Sequence, residues 1–89
     1  MNRKIIAYDL KEGTPEDYKD LYTYIEESLN GVRVNESVFI CFSNLSNKEI
    51  RDNLTAKLKN MNKISIIVGD LPRGVYCYNT SNNEKWLFN

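Results

Sequence analysis

The stretch VRVNESVFICFS, residues 32–43, decides how this chain folds. Val32-Arg33-Val34 reads as a short strand, Asn35-Glu36 as a tight turn, and residues 37–43 as a longer strand, because β-branched and aromatic residues flank a polar pair. The longer strand is apolar on both faces: Phe39 and Cys41 point one way, Val38, Ile40 and Phe42 the other. Such a strand belongs inside a sheet, with something packed on each side.

Toward the C-terminus, Ser46-Asn47-Lys48-Glu49 forms a capping box, with Leu45 and Ile50 at the spacing of a hydrophobic staple. The helix it starts turns Ile50, Leu54 and Leu58 inward and runs until Asn60-Met61-Asn62. Residues 64–68 form the next strand, with Ile64, Ile66 and Val68 opposite Ile67.

Toward the N-terminus, residues 3–10 form a strand with Ile6 and Tyr8 on one face and Ile5, Ala7 and Asp9 on the other. After a turn at Lys11-Glu12-Gly13, Thr14 caps a helix with Pro15 in its first position and Glu16 and Asp17 at the positive end of its dipole. That helix is expected to reach about Asn30, with Gly31 closing it in a left-handed turn. Tyr18, Leu21, Tyr22, Ile25 and Leu29 make one apolar stripe, read as packing.

The order strand, helix, strand, strand, helix, strand is that of a ferredoxin-like α+β domain, an antiparallel βαββαβ sheet with both helices on one face. The core spans about residues 3–68 of a single domain over residues 1–89. In this topology the end of the first strand and the starts of the third and fourth share one edge, so Asp9 is expected near Asn35, Glu36, Ser37 and Lys63.

Two helices leave the second sheet face bare, and an apolar patch of that size calls for a cover. A second copy of the chain and the C-terminal extension, residues 69–89, are both expected to contribute. Val75-Tyr76-Cys77-Tyr78 alternates as a fifth strand would, and Trp86-Leu87-Phe88 is too apolar for a free tail.

Composition narrows the chemistry. With 42% hydrophobic residues the chain is globular, and its apolar runs are too short for a membrane span or a secretory leader, so a cytoplasmic location is expected. It has no histidine and two distant cysteines, Cys41 and Cys77, which excludes His-based triads and His/Cys zinc sites. Twelve basic and twelve acidic residues cancel, but unevenly: residues 1–30 carry −3 and residues 31–89 carry +3. The basic residues Lys48, Arg51 and Lys59 of the second helix read as solvated.

Asp9 stands out, because a carboxylate at the end of an apolar strand either terminates the strand in water or has a chemical task. Ile6-Ala7-Tyr8-Asp9-Leu10 and Arg33-Val34-Asn35-Glu36-Ser37-Val38-Phe39 resemble the pattern of the small CRISPR adaptation proteins of the Cas-two family. With Glu49-Ile50-Arg51-Asp52, the chain is most similar to the Cas-two-like group called SinR-like, and more distantly to the VapD-type toxins, which are ribonucleases. The resemblance covers roughly residues 3–68. It implies a homodimer in which Asp9 meets its twin across the two-fold axis and the pair holds Mg²⁺ or Mn²⁺ for cleavage of RNA or DNA. Asp9 would then be both catalytic residue and metal ligand, with Ser37, Arg33 and Lys63 as contacts to nucleic acid or phosphate.

One departure supports a different class. Family members have an arginine-rich start to the first helix, whereas this chain has the acidic Thr14-Pro15-Glu16-Asp17-Tyr18. A non-catalytic dimeric module that binds a protein partner, such as a regulator or inhibitor from a mobile element or phage, is the alternative expectation.

Overall fold

The computed structural model describes residues 2–58, 64–82 and 86. Its elements are β1 (Asn2–Leu10), α1 (Pro15–Thr23) continued by a π-helical turn (Tyr24–Ser28), β2 (Val32–Asn35), β3 (Val38–Ser43), α2 (Asn47–Lys57) and β4 (Ile64–Asp70). The strands form one sheet in the order β2-β3-β1-β4 with every neighbouring pair antiparallel. This is the ferredoxin-like arrangement that the order of elements implied.

Both helices start as their sequences dictate. At Thr14 and at Ser46 the side-chain oxygen accepts the N–H of the residue three on, while the carboxylates of Asp17 and Glu49 reach back to the cap N–H. Each box satisfies two donors that the first helical turn would leave orphaned.

The ends differ from expectation. The first helix widens to the π form over Tyr24–Ser28, and Asn30, not Gly31, takes the left-handed conformation (φ 52°). Gly31 is required for closeness instead: its N–H donates to Ile25 O at 2.8 Å, and a Cβ there would collide with the Ile25 side chain and sit 2.8 Å from that carbonyl. The turn after β2 falls at Glu36-Ser37, one residue later than the spacing suggested, because Asn35 Oδ1 accepts the Ser37 N–H at 2.9 Å. α2 stops at Lys57, where Leu58 turns extended; the predicted end at 60–62 lies outside the described residues. β4 continues past Val68 to Asp70, whose carboxylate meets the buried Lys4 ammonium at 2.7 Å. That pairing, reinforced by Asn47, holds the Asp70 carboxyl below its usual range.

The sheet has a core on each face. Ile6, Tyr8, Leu10, Phe39 and Cys41 meet Leu21, Ile25, Leu29, Ile50, Leu54 and Leu58 beneath the helices. Burial pushes the Cys41 thiol up to about 11, which keeps it a neutral packing residue. On the opposite face Val34, Ile40 and Trp86 form a second cluster, joined by Leu71, Val75 and Cys77. The C-terminal segment therefore covers the β2–β3 half of the bare face. Ile67 on β4 stays 67% exposed.

Val75-Tyr76-Cys77-Tyr78 is not a fifth strand, although its alternation is real. Val75 and Cys77 pack inward while Tyr76 and Tyr78 are 97% and 86% exposed. The segment packs on the sheet face and holds no strand of its own. Backbone and polar bonds strap it down. Arg3 donates to Pro72 O and Trp86 O, each at 3.3 Å; Leu71 N–H donates to Arg3 O at 3.0 Å; Ser81 N–H donates to Val34 O at 2.9 Å. The last of these bonds occupies part of the open edge of β2, where an unpaired strand would recruit another chain. Among the described residues no helix is long and apolar enough to cross a membrane.

Trp86 is 2% exposed and anchors the outer core, so Trp86→Ala is expected to destabilise the fold by about 3–5 kcal/mol. Urea denaturation checks this; a loss under 1 kcal/mol would mean that the segment contributes little to holding the sheet.

Candidate functional site

The end of β1, the turn between β2 and β3 and the first turns of α1 enclose an open groove of about 360 Å³. The alternation of β1 sends Tyr8 down into the helix-side core and leaves Asp9 exposed at the rim. Tyr8 then fastens the facing turn: its N–H donates to Ser37 O at 3.0 Å and its hydroxyl donates to Glu36 O at 2.7 Å. Glu36 and Ser37 are thereby held against the same groove as Asp9.

The far wall is Arg33, at the edge strand. Its guanidinium carbon lies 4.8 Å from the centre of the Tyr22 ring, and its Nε donates to Asn35 O at 3.3 Å. The charge is held by a cation–π contact and one carbonyl. Tyr18 completes the floor and donates its hydroxyl to Leu10 O at 3.2 Å. Tyr18, Tyr22, Tyr8 and Phe39 form a continuous aromatic cluster with neighbouring ring centres 5.6–5.9 Å apart.

The groove thus brings together three residues expected from sequence, Asp9, Arg33 and Ser37, with Glu36 beside them. Lys63 lies outside the described residues. Asn35 borders a neighbouring groove instead. The tyrosines were read as packing alone, yet Tyr18 and Tyr22 are only half-buried and border the groove as well. Their signal was present in the i, i+4 spacing of two tyrosines on the helix that follows Tyr8-Asp9. Lys48 and Arg51 of α2 lie beside Asp52 as expected, at 2.8 Å and 2.9 Å, which holds its carboxyl below the usual range, and Lys59 lies outside the described residues.

Chemically the residues lining the groove carry two hard carboxylates, Asp9 and Glu36, the Arg33 guanidinium, and the hydroxyls of Ser37 and three tyrosines. Among the described residues no group of three or more His, Cys, Asp or Glu side chains converges as a metal cage. The donors fit a cation that accepts one or two carboxylates and keeps its water, which is the habit of Mg²⁺. No protein-family model matches the chain, and no curated protein is significantly similar to it.

Burial, then the adjoining Tyr22 hydroxyl, push the Tyr8 phenol well above its ordinary 10.0, while Arg33 pulls the other way. Below pH 10 neither the folded nor the unfolded form loses this proton. Above it the unfolded chain releases a proton that the folded chain retains, so stability falls, by up to about 1.4 kcal/mol per pH unit. Tyr8→Phe is expected to cost about 1 kcal/mol at neutral pH and to flatten that alkaline decline. Denaturation of both proteins between pH 7 and about 11.5 checks it; parallel curves would remove Tyr8 from the alkaline response.

Proposed function

We propose that the chain is a Cas-two-like homodimer that cleaves the phosphodiester bonds of a nucleic acid at the Asp9 groove. The observation that supports this most is proximity: Asp9 at the end of β1 lines one groove with Arg33 of β2 and Ser37 of the β2–β3 turn. Phosphoryl chemistry needs this division of labour, with oxygen ligands for a divalent cation on one side and donors for the phosphate on the other.

Asp9, together with Asp9 of a second copy, would hold Mg²⁺ or Mn²⁺. When bound, the ion supplies Lewis acidity and an activated water for attack on phosphorus. The remaining roles belong to the chain. Arg33 offers N–H donors to the phosphate oxygens, fixed in direction by Tyr22 behind it. Ser37 offers a hydroxyl from a turn that Tyr8 immobilises. The second copy is supported by the half of the outer sheet face around Ile67 that the C-terminal segment leaves open. A symmetric pair brings two carboxylates together without a longer motif.

A non-catalytic dimer that binds a protein partner is the second reading. It is favoured by the exposed acidic run on α1 and the π-turn, where Glu16, Glu26 and Glu27 face solvent. Such a surface repels a phosphate backbone.

Asp9→Ala separates the two. Cleavage of labelled single-stranded RNA and DNA in Mg²⁺ or Mn²⁺ is expected to fall at least about 100-fold, with sedimentation and thermal unfolding unchanged. Ser37→Ala is expected to cost about tenfold or less. Cleavage that survives Asp9→Ala would remove Asp9 as the catalytic residue, and its absence in the wild type with both metals would leave the partner-binding module as the reading.

A further inference from the structure

Arg33 and Glu36 line two grooves at once. Beyond them, away from Asp9, lies a second open groove of about 380 Å³, bordered by Asn35 and by Asn79, Ser81 and Asn82 of the C-terminal strap. The strap is fixed to β2 there, since Asn82 Nδ2 donates to Arg33 O at 2.7 Å and Ser81 N–H donates to Val34 O at 2.9 Å. Asn79 and Asn82 both hold the left-handed conformation (φ 54° and 58°), which asparagine tolerates better than other side-chain-bearing residues.

The two grooves differ in chemistry. The Asp9 groove has a carboxylate and hydroxyl donors suited to a phosphate and its cation. The second, apart from the shared Arg33 and Glu36, has carboxamides and a hydroxyl, which donate and accept hydrogen bonds without charge. Carboxamides of this kind pair with nucleobase edges, as in bidentate Asn contacts to adenine. Arg33 stands between. One face of its guanidinium is covered by Tyr22, and the residue is otherwise exposed, which leaves the outer face open. Guanidinium planes backed in this way serve as stacking platforms for unpaired bases.

We propose that the second groove is a nucleobase subsite, in which a base of a single-stranded nucleic acid stacks on Arg33 and is met by the amides of the strap while its phosphate lies toward Asp9. This rests on the nucleic-acid reading above and adds to it a role for the C-terminal segment: it supplies one wall of the substrate track as well as covering the sheet. The edge N–H groups of Arg33 remain directed to phosphate, so one side chain joins the two subsites.

Fluorescence anisotropy tests this, with a labelled single-stranded oligodeoxynucleotide and an all-abasic oligomer of the same length and charge, in Ca²⁺ so that phosphate can bind without cleavage. The wild type is expected to bind the base-bearing oligomer about tenfold more tightly than the abasic one. Arg33→Lys, which keeps the charge and removes the plane, is expected to bring that ratio close to one. Asn79→Ala is expected to weaken binding of the base-bearing oligomer and leave the abasic one unchanged. Equal affinity of the wild type for both oligomers overturns the subsite and leaves the Asp9 reading standing. Binding of neither overturns both. A full preference retained in Arg33→Lys overturns the stacking role, and one retained in Asn79→Ala overturns the role of the strap.

Discussion

The strict alternation of β1 is the constraint on which the rest depends. Ile6, Tyr8 and Leu10 must enter the helix-side core, so Ile5, Ala7 and Asp9 must face the other way. A register slip of one residue would bury a carboxylate and expose three large apolar side chains, which a small domain cannot tolerate. β1 is also central: Asn2–Ala7 pair with β3 and Lys4–Leu10 with β4, so Lys4–Ala7 are paired on both sides. Because Tyr8 is locked in the core, its hydroxyl and its N–H can act as fixed pegs for the β2–β3 turn. The position of Asp9 relative to Ser37 and Glu36 follows from packing and requires no special loop.

The second constraint is the sheet's outer face. A chain of 89 residues has too few elements to cover both faces with helices. It uses the C-terminal segment instead, irregular over residues 71–82 and held by the buried Trp86 and by hydrogen bonds to Arg3 and along β2. The strap shields the β2–β3 half and leaves Ile67 on β4 exposed. Its placement also joins the two grooves on either side of Arg33. Covering the core, by Leu71, Val75, Cys77 and Trp86, and bordering the second groove, by Asn79, Ser81 and Asn82, are therefore done by different residues of one segment.

Much of this was legible from the sequence, for identifiable reasons. The helix cap at Thr14, the capping box at Ser46, the period-two strands and the facing of Asp9 are local patterns, and local patterns survive folding. The misplacements came from interactions that are not local. The π-turn at Tyr24–Ser28 and the shift of the left-handed residue to Asn30 depend on how closely Gly31 approaches Ile25. β4 runs on to Asp70 because Lys4, two strand positions from Ile6, needs a carboxylate there. The strap imitates a strand in its alternation because a segment lying on a sheet face also buries every second side chain. The groove itself was half visible: Asp9 and Ser37 were placed by topology, while the tyrosine floor was read only as core.

Charge gives the site its character. The net charge is zero, yet the groove places Arg33 among the acidic residues Asp9 and Glu36, and acidic residues continue along α1. Under the proposed function such a surface would attract a divalent cation first and a phosphate through it. The most direct measurement is therefore a Mn²⁺ titration followed in the amide NMR spectrum. The account predicts selective paramagnetic broadening of Tyr8, Asp9, Leu10, Glu36 and Ser37, lost in Asp9→Asn. Broadening confined to the acidic face of α1, or unchanged by that substitution, would contradict it.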